Sequence, residues 1–334
     1  MAEKKFKNLS EQIEIMKSKG LIINDEEDAK VILLRENYFF INGYRYIFMK
    51  SKNDKKFVSG ATFDELYALF TFDRRFRNII FKNVLIIENN IKSVISYQLS
   101  KKYGYRDKDY LRPESFSLDR KKSRQVNDLI HKMKRQVRVN GQKHSATMHY
   151  INNYGYVPLW ILVKVLSFGI ISEMYSILKP EDQLVIADYY DLDIHVLENY
   201  LALLSNYRNL CAHEDILFDN KTQRFIDDTK YHKCLDIPTM DGEYIYGKND
   251  LFALIIILKQ MLSDEEFRLL IYEIGYELDI LDGKVESIPQ SKILDAMGFP
   301  ENFRDIVKIE GDIKLWERKL QSLSQYLPLC LLVH

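Results

Sequence analysis

The stretch Ser205-Asn206-Tyr207-Arg208-Asn209-Leu210-Cys211-Ala212-His213-Glu214 puts a permanent cation, an amide and an imidazole within six positions. An imidazole gives and takes protons near neutral pH. A guanidinium is always charged and donates two parallel bonds, which suits a phosphate. If the stretch is helical, Asn209 and His213 are neighbours on one face, and the amide can orient the ring. Arg208 lies about 140° round the helix from His213. It therefore reaches round on its long stem, meets a His of another chain, or sits beside a helix end. The structural alternative is Arg208 paired with an acid, Asn209 as a cap and His213 satisfying carbonyls. From these residues alone, that alternative is the commoner outcome. The remaining histidines show no metal spacing, and His232-Lys-Cys234 is too little for a four-ligand zinc site. Phosphate-loop, dinucleotide and nucleophile-elbow signatures are lacking.

The elements that must position these groups are helical. Leu197, Leu201 and Leu204 repeat at helical spacing up to the motif, with Asp193 as the expected cap. Thr62-Phe-Asp-Glu65 is a capping box. From it helical spacing runs to Gly104 through Leu66, Leu69, Phe76, Ile80, Val84, Ile87, Ile91, Ile95 and Leu99. A helix of that length admits a break near Asn83 or Asn89-Asn90. Within it Asp73 and Arg77 are spaced to pair on the surface, or else Arg74 and Arg77 line a groove beside His213.

Upstream, Leu9, Ile13 and Met16 mark a first helix ending at Gly20, and Asp25 opens a second. The aromatics around Asn42-Gly43 fit either a hairpin or a helix–turn–helix. Pro158 opens a helix carried to Leu178, with Gly169 in its middle where another backbone packs close. Residues 215–248 read as a long connection with a short hairpin. Asp250 and Ser263-Asp-Glu-Glu266 start C-terminal helices, and the apolar tail 327–334 is expected to dock. The expected organisation is mostly α, a helical bundle with additional N- and C-terminal helices. It divides into a helical and aromatic segment 1–61, the bundle 62–220 with a basic insertion 105–150, and a helical extension 221–334.

The chain has 334 residues, 46% hydrophobic and 29% charged, as in soluble globular proteins. Lys plus Arg and Asp plus Glu both total 48, so any argument for a polyanionic partner must be local. One such place exists. Arg120, Lys121, Lys122, Arg124, Lys132, Lys134, Arg135, Arg138 and Lys143 face only Asp119 and Asp128. The balancing acids come late, among them Glu273, Glu277 and Asp279, and segregated charge of this kind suggests a phosphate-binding surface. Three cysteines without ligand-like pairing fit a reducing cytosol. The start of the chain lacks a secretory h-region, and the apolar run Leu251–Leu258 is far short of the ~20 residues a bilayer needs. A cytoplasmic location is expected.

The spacing Arg208-Asn-x-x-x-His213 resembles the R-x4–6-H motif of HEPN domains, small helical bundles that often cleave RNA. The likeness extends to Gly43-Tyr44-Arg45-Tyr46, Phe72-Asp73-Arg74-Arg75-Phe76-Arg77, Pro158-Leu159-Trp160 and Leu166-Ser167-Phe168-Gly169, in that order. This order is similar to the Abi-like (AbiD/AbiF-type) abortive-infection proteins of bacteria over roughly residues 8–220. Many relatives carry a second His or a small polar residue where this chain has Glu214.

The resemblance implies a HEPN-like bundle and a metal-independent endoribonuclease of phage defence, with no cofactor. RNA supplies its own 2′-hydroxyl as nucleophile, so His213 would move protons, Asn209 orient it and Arg208 stabilise the phosphate. The rival is an RNA-binding module or toxin-like regulator that has lost cleavage. A small regulatory RNA is the expected partner, held by the basic stretch, with Arg74, Arg77, Lys121, Lys122, Arg124, Lys132, Lys134, Arg135 and Arg138 as candidate contacts. A symmetric dimer would bring two such motifs together. The alternative is a monomer completed by Arg74 or Arg77.

Overall fold

The computed structural model describes residues 5–51 and 54–310, and it is mostly helical. Its axis is one helix, Phe63–Tyr103, of 41 residues. Both halves of the predicted capping box form: the Thr62 hydroxyl accepts from the Glu65 N–H at 3.1 Å, and Glu65 accepts from the Thr62 N–H at 2.8 Å. The second Glu65 oxygen accepts from the backbone N–H groups of Glu286 and Ser287, both at 2.7 Å. One side chain thus starts the long helix and ties it to the C-terminal section. The helix has no break at Asn83 or Asn89-Asn90. Asn83 is buried and its amide donates to the Ile79 carbonyl at 2.8 Å, so it stays within the helical ladder. Gly104 ends the run at φ +95°, where a Cβ would also stand 3.0 Å from that of Asp109.

Against this axis pack the helix Ile194–Ala212 that carries the motif, the acidic helix Asp264–Asp282 and the short helix Leu159–Val165. The helix Leu251–Met261 is buried on all sides, as its uninterrupted apolar sequence demands, and it lies among the first three. Asp250 caps it through the Ala253 N–H at 3.0 Å. The acidic helix begins with its own capping box, Ser263 with Glu266. Its acids meet cations of the long helix: Glu273 with Lys82 at 2.7 Å and Glu277 with Arg75 at 3.1 Å.

The segment from Pro158 is two helices, not one. Leu159–Val165 ends, and Phe168–Ser176 restarts after the extended Leu166 and Ser167. Ser167 is the reason: its hydroxyl accepts from the Ile170 N–H, an N-cap that competes with continuing the helix. Gly169 packs against the motif helix, where a Cβ would sit 3.4 Å from the Ser205 hydroxyl.

The aromatic segment takes the helical option, with Tyr38–Gly43 followed by a 3₁₀ turn Tyr44–Phe48. The expected hairpin in the connection forms between Thr239–Met240 and Glu243–Tyr244. Asp241 and Gly242 turn it at φ 54° and 86°, the positive values that a tight hairpin turn requires. One hydrophobic core runs from Ile13 to Ile306 through all of these elements. No helix among the described residues is long and apolar enough to cross a membrane. The apolar tail 327–334 and Cys330 lie outside the described residues.

Candidate active site

The motif helix buries Leu197, Tyr200, Leu201, Leu204, Tyr207 and Cys211, which fixes its rotation. Asn209 then falls on its outer side, Arg208 leans toward the long helix, and His213 becomes the residue that ends it. The His213 N–H still donates to the Asn209 carbonyl at 3.0 Å. Beyond it the Asp215 N–H reaches back to the Leu210 carbonyl at 3.2 Å, with Glu214 in the left-handed region at φ 56°. This is the Schellman closure, with Glu where glycine is the usual residue. Asn209 is joined to His213 through its backbone carbonyl, not through the amide–imidazole bond that the spacing predicts. Both side chains are exposed.

The turn after His213 is held by a buried cluster. Asp73 Oδ2 accepts from the Tyr44 hydroxyl at 2.6 Å, from the Leu217 N–H at 3.1 Å, and from Arg77. Arg77 also donates to the Asp215 carbonyl at 3.2 Å. Asp73 and Arg77 do pair, but inside the protein, at 0% and 3% exposure. Burial pushes the Asp73 carboxyl up against the opposing pull of Arg77. Tyr44 stacks on Phe218 with ring centroids 5.7 Å apart. Gly43 lets the aromatic turn come close, since a Cβ there would lie 2.6 Å from Ile216 Cδ1. Arg77 was expected either to pair with Asp73 or to line a groove beside His213 as an RNA contact. The structure places it on the floor of a groove, with its guanidinium engaged by the loop that carries His213.

That groove, of about 1060 Å³, has Ala212 and His213 on one wall and Phe39, Phe40 and Tyr46 on the other. Arg74 lies in its lining and donates to both oxygens of Glu36, at 3.2 and 2.6 Å. Arg74 holds the Glu36 carboxyl below its ordinary range.

Arg208 turns the other way. Its Nε lies 3.4 Å from Glu88 Oε2 on the long helix, and its guanidinium carbon is 5.6 Å from the centre of the Phe81 ring. Glu88 is buried and already paired with Lys92 at 2.6 Å. Two cations share one carboxylate, so the cluster retains a positive charge at a side chain 30% exposed. Glu88 and Lys92 were missed in the sequence. Their signal was an i, i+4 charge pair set inside an apolar stripe. His232 is fully buried and bonded to Thr229 and Gly247, which makes it structural.

The basic helix Ser123–Asn140 buries Val126, Leu129, Ile130 and Met133 and turns its cations outward. Lys132 pairs with Glu173 at 2.6 Å, Arg124 stands 3.9 Å from Asp128, and Lys122 donates to the Ser176 carbonyl. Lys121, Lys134, Arg135 and Arg138 are exposed.

Among known families, the one described as Abi-like protein matches residues 31–219. The match spans more than half of the chain and takes in the aromatic turn, the long helix, the basic helix and the motif. The chain belongs to the Abi-like protein family. No curated protein and no solved structure matches it significantly. In this Abi-like protein the family region contains the whole Asp73–Tyr44–Arg77 cluster and both sides of the motif helix.

Proposed function

We propose that this chain is a metal-independent HEPN endoribonuclease of abortive infection, the defence in which an infected bacterium halts its phage. Membership of the Abi-like family supports the defence context. The observation that carries the enzymatic reading is the end of the motif helix. An imidazole is presented to solvent by a turn held from below, and on another side of the same helix end stands a partly exposed guanidinium whose acid partner is already neutralised by Lys92. His213 transfers protons to or from the 2′- and 5′-oxygens, and Arg208 stabilises charge developing on the phosphate. Asn209 presents its amide beside the reacting groups.

Arg208 and His213 face different sides of one helix end, so a single copy offers each without the other. A twofold dimer supplies the complement, bringing two His and two Arg into one shared groove. The basic helix supports a second role, holding a small regulatory RNA, because phosphate neutralisation dominates RNA affinity.

Incubation of the purified protein with labelled RNA in EDTA tests the reading. Cleavage is expected, and His213→Ala should lower its rate by roughly 10²–10⁴-fold. Tight RNA binding without cleavage would instead favour the binding module. In mixtures of His213→Ala with wild type, a composite dimeric site loses activity faster than the wild-type fraction falls, whereas a monomer loses it in proportion.

A further inference from the structure

A row of rings lies at the far end of the long helix, outside the motif. Trp160 contacts Tyr105 at 5.9 Å between centroids, Tyr105 contacts Tyr156 at 5.8 Å, and Tyr156 contacts Tyr154 at 6.3 Å. Tyr154 meets Tyr150 at 5.4 Å and His149 at 5.9 Å. The row is open to solvent: Tyr105 is 41% exposed, Trp160 43% and Tyr154 57%. The Arg106 guanidinium lies 5.9 and 5.3 Å from the rings of Tyr105 and Tyr156.

Local order does not depend on exposing these rings. The segment is fixed underneath by the buried Tyr110, whose hydroxyl donates to the Val157 carbonyl at 2.6 Å. A contiguous solvent-facing ring surface therefore calls for a ligand. Close by in the chain a cleft of about 700 Å³ opens, with Lys134 and Arg138 of the basic helix and Lys108 on its walls. Rings beside cations match the two surfaces of an unpaired nucleic acid strand, its base faces and its phosphates. A duplex hides the base faces and offers the phosphates alone.

We infer that the row from Trp160 to Tyr150 is a stacking platform for unpaired bases of an RNA whose backbone lies on Lys134 and Arg138. The identity of the ligand as RNA rests on the function proposed above; the location and the strandedness do not. The platform follows Tyr103, and the long helix rises 1.5 Å per residue, so it stands about 20 Å along that helix from Glu88, which holds Arg208, and about 40 Å from Arg77 under the His213 loop. The bases it holds are therefore not those beside the scissile phosphate. The chain grips an RNA segment remote from the one it cuts.

Trp160 reports on the platform directly. The chain has two tryptophans, so Trp316→Phe leaves Trp160 as the single emitter. Titration of that protein with an unlabelled single-stranded oligonucleotide should quench its emission, and a duplex of equal length should not. Tyr105→Ala with Tyr154→Ala should weaken single-strand binding about tenfold or more in fluorescence anisotropy, whereas Tyr105→Phe with Tyr154→Phe keeps the rings and the affinity. Cleavage of short RNAs should survive both pairs.

Binding with silent Trp160 emission, or quenching by duplex and single strand alike, overturns the platform while leaving the ribonuclease reading intact. Equal weakening by the Ala and Phe pairs overturns it as well. Failure to bind any RNA overturns both.

Discussion

At the head of the long helix, Arg74 and Arg77 have their guanidiniums engaged by Glu36 and Asp73. On the basic helix, Lys134, Arg135 and Arg138 stand in solvent with no ion pair among the described residues. The two groups carry the same charges, and by proximity to His213 the first is the better placed for RNA. What separates them is whether the charge is already neutralised. A cation inside a satisfied pair stabilises the fold, and only an unneutralised one can exchange counterions for phosphate. Arg208 lies between these cases, because it shares Glu88 with Lys92.

The largest effect expected from this contrast is on stability. Arg77→Ala leaves Asp73 buried without its countercharge, and breaking such a pair costs about 3–5 kcal/mol. Urea unfolding should show that loss. A variant that instead keeps its stability and loses RNA affinity would invert the comparison and return Arg77 to the binding surface.

Arg208→Ala should divide activity from stability. Losing one preorganised donor to developing charge lowers rates by about 10²–10³-fold. Lys92 continues to neutralise Glu88, so the melting temperature should shift far less than in Arg77→Ala. Arg208→Lys keeps the charge but not the planar fork, and its single-turnover rate should fall between the two. If the Lys variant is as slow as the Ala variant while both melt early, Arg208 is a structural residue.

On the basic helix, Lys134→Glu, Arg135→Glu and Arg138→Glu together should leave unfolding nearly unchanged. They should flatten the dependence of RNA affinity on salt by about 2 in log–log slope, from roughly 0.7 per phosphate contact on a single strand. An unaltered slope would remove this surface from the binding site.

The long helix, both capping boxes and the hairpin turn at Asp241-Gly242 were legible because each is set by residues within a few positions of one another. The break at Leu166-Ser167 was not, since hydrophobic spacing continues across it and only the Ser167 cap interrupts the ladder. The spacing of Asp73 and Arg77 announced a pair but could not say that the face points inward, which depends on Tyr44 and Leu217 arriving from elsewhere. For Arg208, the angle from His213 was readable and its partner Glu88, on another element, was not. Local chemistry determines which groups meet within an element; whether a charge is neutralised is decided between elements.

The same rule applies to two titrating groups in the connection, and it gives the smallest effect. His232 and Asp250 both bond to Gly247, one to its carbonyl at 2.9 Å and the other to its N–H at 3.0 Å. The His232 ring accepts from the Thr229 N–H at Nδ1, which requires the neutral form, and burial lowers its pKa. The unfolded chain then binds more protons than the folded one below the ordinary value of about 6.5, so this group removes stability as pH falls through that point. Asp250 has the opposite sign. Burial pushes its carboxyl up to about 6, the folded chain binds more protons between the ordinary carboxylate range and that value, and stability rises as pH falls. Each contributes at most about 1.4 kcal/mol per pH unit, and in the wild type they oppose one another. Unfolding free energies between pH 4.5 and 6.5, taken as differences from wild type, separate them. His232→Gln should gain stability relative to wild type as pH falls, and Asp250→Asn, which can still cap the helix, should lose it. Differences of the same sign in the two variants would show that these groups are not the buried pair the structure describes. RNA affinity should be indifferent to both substitutions, as it is expected to be for Arg77→Ala once the variant is folded.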